Sequence, residues 1–139
     1  MVTTATQANN VQVKTFFIII AKGLFVLPFA AFGLLHFGPL EFSLAYVPTW
    51  LPAPALWIYA LGLCLIAFSV SAIIQKLDGL ASFLLTALLL IFVTLVHIPT
   101  AASGDFTGLI SVLRDSAMAG AALLYGLYIA TDKRFTGLN

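Results

Sequence analysis

Residues 80–98 read LASFLLTALLLIFVTLVHI. The run carries no Asp, Glu, Lys or Arg. It is long enough to cross a hydrocarbon core, which takes about 20 residues of helix. It lacks the apolar-polar alternation of a barrel strand, so it reads as a helix. Three further apolar segments lie at about 15–37, 54–74 and 107–130, the first interrupted by Lys22 and the last by Arg114 and Asp115. The breaks between them carry chain-turning or charged residues. Gly38-Pro39 ends the first segment, Gln75-Lys76-Leu77-Asp78-Gly79 separates the second from the third, and Pro99, Gly104 and Asp105 mark the third connection. The expected architecture is an all-α membrane protein, a four-transmembrane-helix antiparallel bundle.

Composition agrees. Of 139 residues, 62% are hydrophobic and 8% charged, and mean hydropathy is +1.11. A soluble domain carries about 25% charged residues, so this chain cannot wet a globular surface. A soluble enzyme, a disordered tail and a nucleic-acid binder with a basic face are excluded. Net charge is +1, too small for long-range steering. Cys64 is the single cysteine, which leaves no intrachain disulfide and no cysteine-based metal site. The first apolar segment is interrupted by Lys22 and Pro28 and is too long for a signal core, so it is expected to be retained. Residues 1–14 read as a flexible polar N-terminus, 15–130 as the membrane domain and 131–139 as a short cytoplasmic tail. No repeat or low-complexity tract is present.

The cations set the orientation. Lys14, Lys76, Lys133 and Arg134 all fall on one side of a four-span chain. The opposite connections, 38–53 and 99–106, hold Glu41 and Asp105 but no Lys or Arg. By the positive-inside rule both termini are cytoplasmic. The expected location is the bacterial cytoplasmic (inner) membrane, multi-pass, with the lipid bilayer and other membrane subunits as partners and no nucleic acid.

The first connection is aromatic and proline-rich. Tyr46, Trp50 and Trp57 suit the headgroup layer, where an apolar ring and a polar tip are both satisfied. The segment reads as an interfacial cover on the bundle, or as a lid over a pocket. In the fourth segment Ser116 and Gly120 are four apart, as are Ala122 and Gly126. Small residues at that interval let helices approach, here within the bundle rather than between subunits. Lys22 lies inside the first segment, where its long stem can snorkel to the headgroups. Pro28, six residues on, is expected to kink that helix.

Ionisable residues inside a span need a reason. His36, Glu41, His97, Arg114 and Asp115 fall at one depth, near the outer face, with Asp105 in the loop beside them. Three readings compete. Arg114 pairs with Glu41 or Asp115 and the histidines make interhelical hydrogen bonds, a purely structural role. Alternatively the cluster is a polar mouth for a head group such as a quinone's, with histidine and arginine donating to its carbonyls. Last, His36 and His97 hold a metal or haem, although no His-x-x-His or Glu-x-x-His spacing supports this. No cofactor follows firmly, and quinone ranks above haem or metal.

The stretch His36-Phe37-Gly38-Pro39-Leu40-Glu41, followed by Val47-Pro48-Thr49-Trp50-Leu51-Pro52, resembles the DoxX-like family of small bacterial four-helix membrane proteins. Gly62 resembles the family glycine of the second helix, His97-Ile98-Pro99 its proline-marked third helix, and Arg114 to Gly126 its small-residue fourth helix. The similarity covers about residues 16–130, and only His36 to Pro52 is specific. Two departures stand out. No acid follows Gly62 within Leu63-Cys64-Leu65-Ile66, and Glu41 comes two residues after Pro39 rather than directly after it. The resemblance implies an accessory or anchoring subunit of a membrane oxidoreductase near quinone chemistry. In that reading His36, His97 and Arg114 bind the head group, and Glu41 or Asp115 orients them. The other readings are a non-catalytic structural subunit or assembly factor, and a small membrane enzyme with Glu41, His36 and Asp115 as acid-base groups. A non-catalytic subunit ranks above an enzyme.

Overall fold

The computed structural model describes residues 4–134. Six α-helices follow one another: α1, Thr4–Leu35; α2, Leu40–Leu44; α3, Pro54–Ile74; α4, Asp78–Phe92; α5, Ile98–Ala102; and α6, Phe106–Leu124. A π-helical turn, Val93–His97, joins α4 to α5. A second, Tyr125–Ile129, extends α6. Four helical segments are long and apolar enough to cross a membrane by length and composition: Asn9–Leu35, Pro54–Ile74, Asp78–Ala102 and Phe106–Ile129. The protein is a multi-pass, all-helical bundle. α1 packs on α3, α3 on α4, and α4 on α6. One end, the loop end, carries α2, the 45–53 segment and the α5–α6 turn. The other, the terminal end, carries the α3–α4 turn and the chain after Ile129.

Two expected boundaries shift. α1 begins at Thr4, not near Thr15. Hydropathy marks where lipid contact starts, whereas a helix continues into polar sequence until something breaks it, and neither Gly nor Pro occurs before Gly23. The expected flexible segment is therefore helical from Thr4 on, while residues 1–3 and 135–139 lie outside the described residues. α1 also stays one helix through Pro28. The third span continues past Ile98 to Ala102, straight through Pro99. Proline has no N–H to donate and crowds the carbonyl four residues back. The π-helical turn just before it widens the register, with the Ile98 N–H donating to the Val93 carbonyl. Pro99 then occupies the first turn of α5, where its missing N–H costs nothing.

The core joins aromatic and small residues. Phe29, Phe68 and Tyr125 are buried. Phe25 meets Phe29, Phe68 and Tyr125 with ring centroids 5.2–5.8 Å apart. Hydroxyls cross between helices: Ser69 Oγ, which donates to the Leu65 carbonyl of its own helix at 2.9 Å, also reaches the Val26 carbonyl of α1 at 3.3 Å, and Ser82 Oγ donates to the Ala122 carbonyl at 2.7 Å. Such bonds hold spans together where the hydrophobic effect gives no preference. α1 and α3 approach closely. A Cβ on Gly62 would lie 2.6 Å from His36 Cβ and 2.9 Å from the Gly33 carbonyl, and one on Gly33 would lie 2.9 Å from the Gly62 carbonyl.

The small-residue stripe of α6 splits. Ala122 and Gly126 are buried, and a Cβ on Gly126 would press on Ser82 at 3.2 Å. Ser116 and Gly120 are exposed, with nothing within 4 Å of a Gly120 Cβ. Expected packing therefore holds for one pair and not for the other. Two positions apart on a helix is about 200° around its axis, so the two pairs cannot face the same neighbour.

Candidate functional site

The expected outer cluster divides. Asp115, on the inner face of α6, is 5% exposed. His97 closes the π-helical turn on the facing span, and its Nε2 lies 3.0 Å from Asp115 Oδ2. Arg114 Nε donates to Asp115 Oδ1 at 2.7 Å. One carboxylate therefore receives a donor on each oxygen, and Arg114, whose side chain is 51% exposed, keeps its outer part accessible. The π-helical turn inserts an extra residue ahead of His97 and rotates it relative to a regular helix. Sequence spacing alone does not predict that aim.

His36 and Glu41 do not join. The His36 Nδ1–H donates to the Phe32 carbonyl of its own helix at 2.7 Å, and its ring meets Phe32 edge-on at 5.0 Å. Glu41 is exposed in α2, and no hydrogen bond or ion pair links it or His36 to Asp115 among the described residues. The pairing of Arg114 is with Asp115, not Glu41. Of the five residues expected at one place, hydrogen bonds link His97, Arg114 and Asp115. No group of three or more metal-ligating side chains occurs among the described residues.

A groove of about 380 Å³ opens at the loop end. One wall is the 45–50 segment, Ala45-Tyr46-Val47-Pro48-Thr49-Trp50. The other is built from Leu95, Val96, His97, Pro99 and Thr100 with Asp105, Thr107, Gly108 and Ser111. Gly108 makes the α5–α6 approach, since a Cβ there would meet the Ala101 backbone nitrogen at 2.6 Å. Asp105 caps α6, accepting from the Thr107 N–H at 2.8 Å. Tyr46 and Trp50 stay 72% and 65% exposed. They line the groove mouth and still face outward, so cover and lid are the same segment. Trp57 lies apart and fastens that segment, its Nε1–H donating to the Pro52 carbonyl at 2.9 Å.

A second polar centre lies at the terminal end, and sequence reasoning missed it. Asp78 is fully buried. Its carboxylate accepts the N–H groups of Gly79, Thr131 and Asp132 at 3.1, 2.8 and 2.8 Å. Asp132 in turn accepts from the Leu77 N–H at 3.3 Å and pairs with Arg134 at 2.6 Å. The Arg134 hydrogen bond holds the Asp132 carboxyl down at about 2, below its ordinary 3.8. Lys22 does not pair with Asp78 or Asp132. Its Nζ lies 5.7 Å over the buried Tyr125 ring, a cation–π contact. An acid opening a helix is an ordinary signal in sequence. Its burial comes from the returning chain after Ile129, which no local pattern reveals.

Against these findings, no protein-family model, curated protein or solved structure matches the chain.

Proposed function

We propose that the chain is a DoxX-like accessory or anchoring subunit of a membrane oxidoreductase in the bacterial cytoplasmic membrane, and that its loop-end groove takes a quinone-class head group. One observation carries the reading. His97 lines a groove of about 380 Å³ with mixed aromatic, apolar and polar walls, while the buried Asp115 carboxylate lies 3.0 Å from its Nε2. Small-ligand sites combine apolar and aromatic walls with convergent polar groups. The exposed rings of Tyr46 and Trp50 suit a groove mouth at headgroup depth, where an apolar tail can leave sideways into lipid. Arg114 serves by fixing Asp115 rather than by touching the ligand, since it does not line the groove. The family part of the reading rests on the His36 to Pro52 residues.

The test is purification in mild detergent from native membranes, with solvent extraction of quinones and mass spectrometry of co-purifying proteins. The reading expects near-stoichiometric quinone and a redox enzyme, with the quinone lost in His97→Ala. Stable partners without quinone, unaffected by that substitution, would instead make the protein a structural subunit or assembly factor.

A further inference from the structure

We propose that the pocket at the terminal end takes a phosphate group, presented by the head of an anionic phospholipid. The site is separate from the loop-end groove and does not depend on what that groove binds.

The pocket, of about 710 Å³, lies between the α3–α4 turn and the chain after Ile129. Gln75, Lys76 and Leu77 form one side, and Thr131, Asp132 and Arg134 the other. Spans end here: the second stops at Ile74, the third starts at Asp78 and the fourth stops at Ile129. A pocket placed where spans end sits at the depth of the lipid head groups.

Its charges suit an anion. Asp132 is the one acid among the described lining residues, and both its oxygens are taken. Arg134 Nε donates to Oδ1 at 2.9 Å, Nη2 donates to Oδ2 at 2.6 Å, and the Leu77 N–H reaches Oδ2 at 3.3 Å. The Asp132 side chain is only 11% exposed, whereas that of Arg134 is 70% exposed. A guanidinium carries its N–H groups in a fixed fork. Asp132 holds one edge of that fork, and Nη1 makes no hydrogen bond among the described residues. Asp132 thus fixes Arg134 at the pocket and leaves donors for a second acceptor. Across from it, Lys76 is exposed, and its Nζ has neither a hydrogen bond nor an ion pair among the described residues.

Lys76 and Arg134 against Asp132 leave one net positive charge among these residues. A phosphodiester carries one negative charge. An Arg fork and a Lys point charge are the usual pair of phosphate donors, and the Thr131 hydroxyl and Gln75 amide add neutral ones. Basic pockets between spans at a membrane face bind anionic lipid head groups. Ile73 and Ile74, just before the turn, are exposed and give acyl chains an apolar face.

The test titrates the full chain, in mild non-ionic detergent, with phosphatidylglycerol and with phosphatidylcholine of the same acyl chains, read by native mass spectrometry. Phosphatidylcholine has the same phosphate, masked by its own cation. Phosphatidylglycerol should bind about tenfold tighter, and Lys76→Gln should weaken it about fivefold. Lys76 has no side-chain partner to lose, so that effect is not one of folding. Lys76→Gln with Arg134→Gln should abolish the preference. Lys14→Gln, a cation outside the pocket, should change nothing. Equal binding of the two lipids, or a loss in Lys14→Gln as large as in Lys76→Gln, overturns the proposal. sn-Glycerol 3-phosphate, the phosphate without tails, separates the two sources. Weak competition supports the lipid, whereas displacement of phosphatidylglycerol at equal concentration overturns it in favour of a soluble phosphate.

Discussion

Two carboxylates lie buried at opposite ends of this bundle, and they are satisfied differently. Asp78 is held by three backbone N–H groups, two of them from the chain that returns after Ile129. Asp115 is held by two side chains, one of which also lines the groove. Backbone donors cannot move without moving the fold, so Asp78 is a clasp. Side-chain donors can be exchanged or rotated, so the contacts of Asp115 can change without moving the backbone. Equal burial does not mean equal role. The identity of the donors separates structure from chemistry.

The largest expected effect is at the clasp. Asp78→Ala leaves three N–H groups without an acceptor and should destabilise the protein by about 3 kcal/mol or more. Thermal unfolding in detergent measures this, with Asp78→Asn, which keeps one acceptor oxygen, falling between. Asp115→Ala should cost less, because its partners are side chains and Arg114 is half exposed and returns to water. An equal loss at both sites would break the comparison.

Next comes the α1–α3 contact that brings His36 against Gly62. Gly62→Ala drives a Cβ into His36 Cβ and the Gly33 backbone, at a cost of about 1–3 kcal/mol. Gly120→Ala, with open space around it, should stabilise by up to about 1 kcal/mol, the usual gain in a helix interior. If the two substitutions behave alike in the same unfolding assay, the assignment of inward and outward faces fails.

Asp115→Asn sharpens the contrast from the other side. It should leave unfolding within about 1–2 kcal/mol of the wild type, yet change quinone content in the extraction assay. Unchanged quinone with a large loss of stability would make Asp115 a second clasp.

The smallest effect is acidic. Asp132 has its carboxyl lowered to about 2 in the folded chain, chiefly by the Arg134 hydrogen bond. A lowered carboxylate contributes stability that is present above its ordinary 3.8 and is lost as pH falls through the folded value. Asp132 is partly buried where the returning chain docks, so only the docked tail should loosen between about pH 4 and pH 2. Hydrogen exchange at the Leu77 amide, which donates to Asp132, would report it. No acceleration in that window would show that Asp78 holds the tail alone.

Much of the fold was legible in the residues. The second expected segment, 54–74, coincides with α3, because Pro54 opens it and polar Gln75-Lys76 closes it. The fourth matches from the Asp105 cap to Ala130. Pro99 misled, because a π-helical turn can carry a helix through a proline. The site was half legible. From sequence position, five ionisable residues were expected at one depth. Contact did not follow, since His36 turns back to Phe32 while His97 reaches Asp115.

By itself the sequence determined that this chain makes four apolar helices, where three of the four begin, and which end of the bundle gathers histidine, arginine and carboxylate. Those are local properties, written in hydropathy, caps and turn residues over a few adjacent positions. Tertiary structure alone decided that Asp115 meets His97, that the 45–50 segment encloses a groove, and that Asp78 is sealed by the returning chain. The reason is rotational. A span is anchored in depth by its polar ends, but its rotation is set by packing against its neighbours, and a single added residue in a π-helical turn re-aims every side chain beyond it.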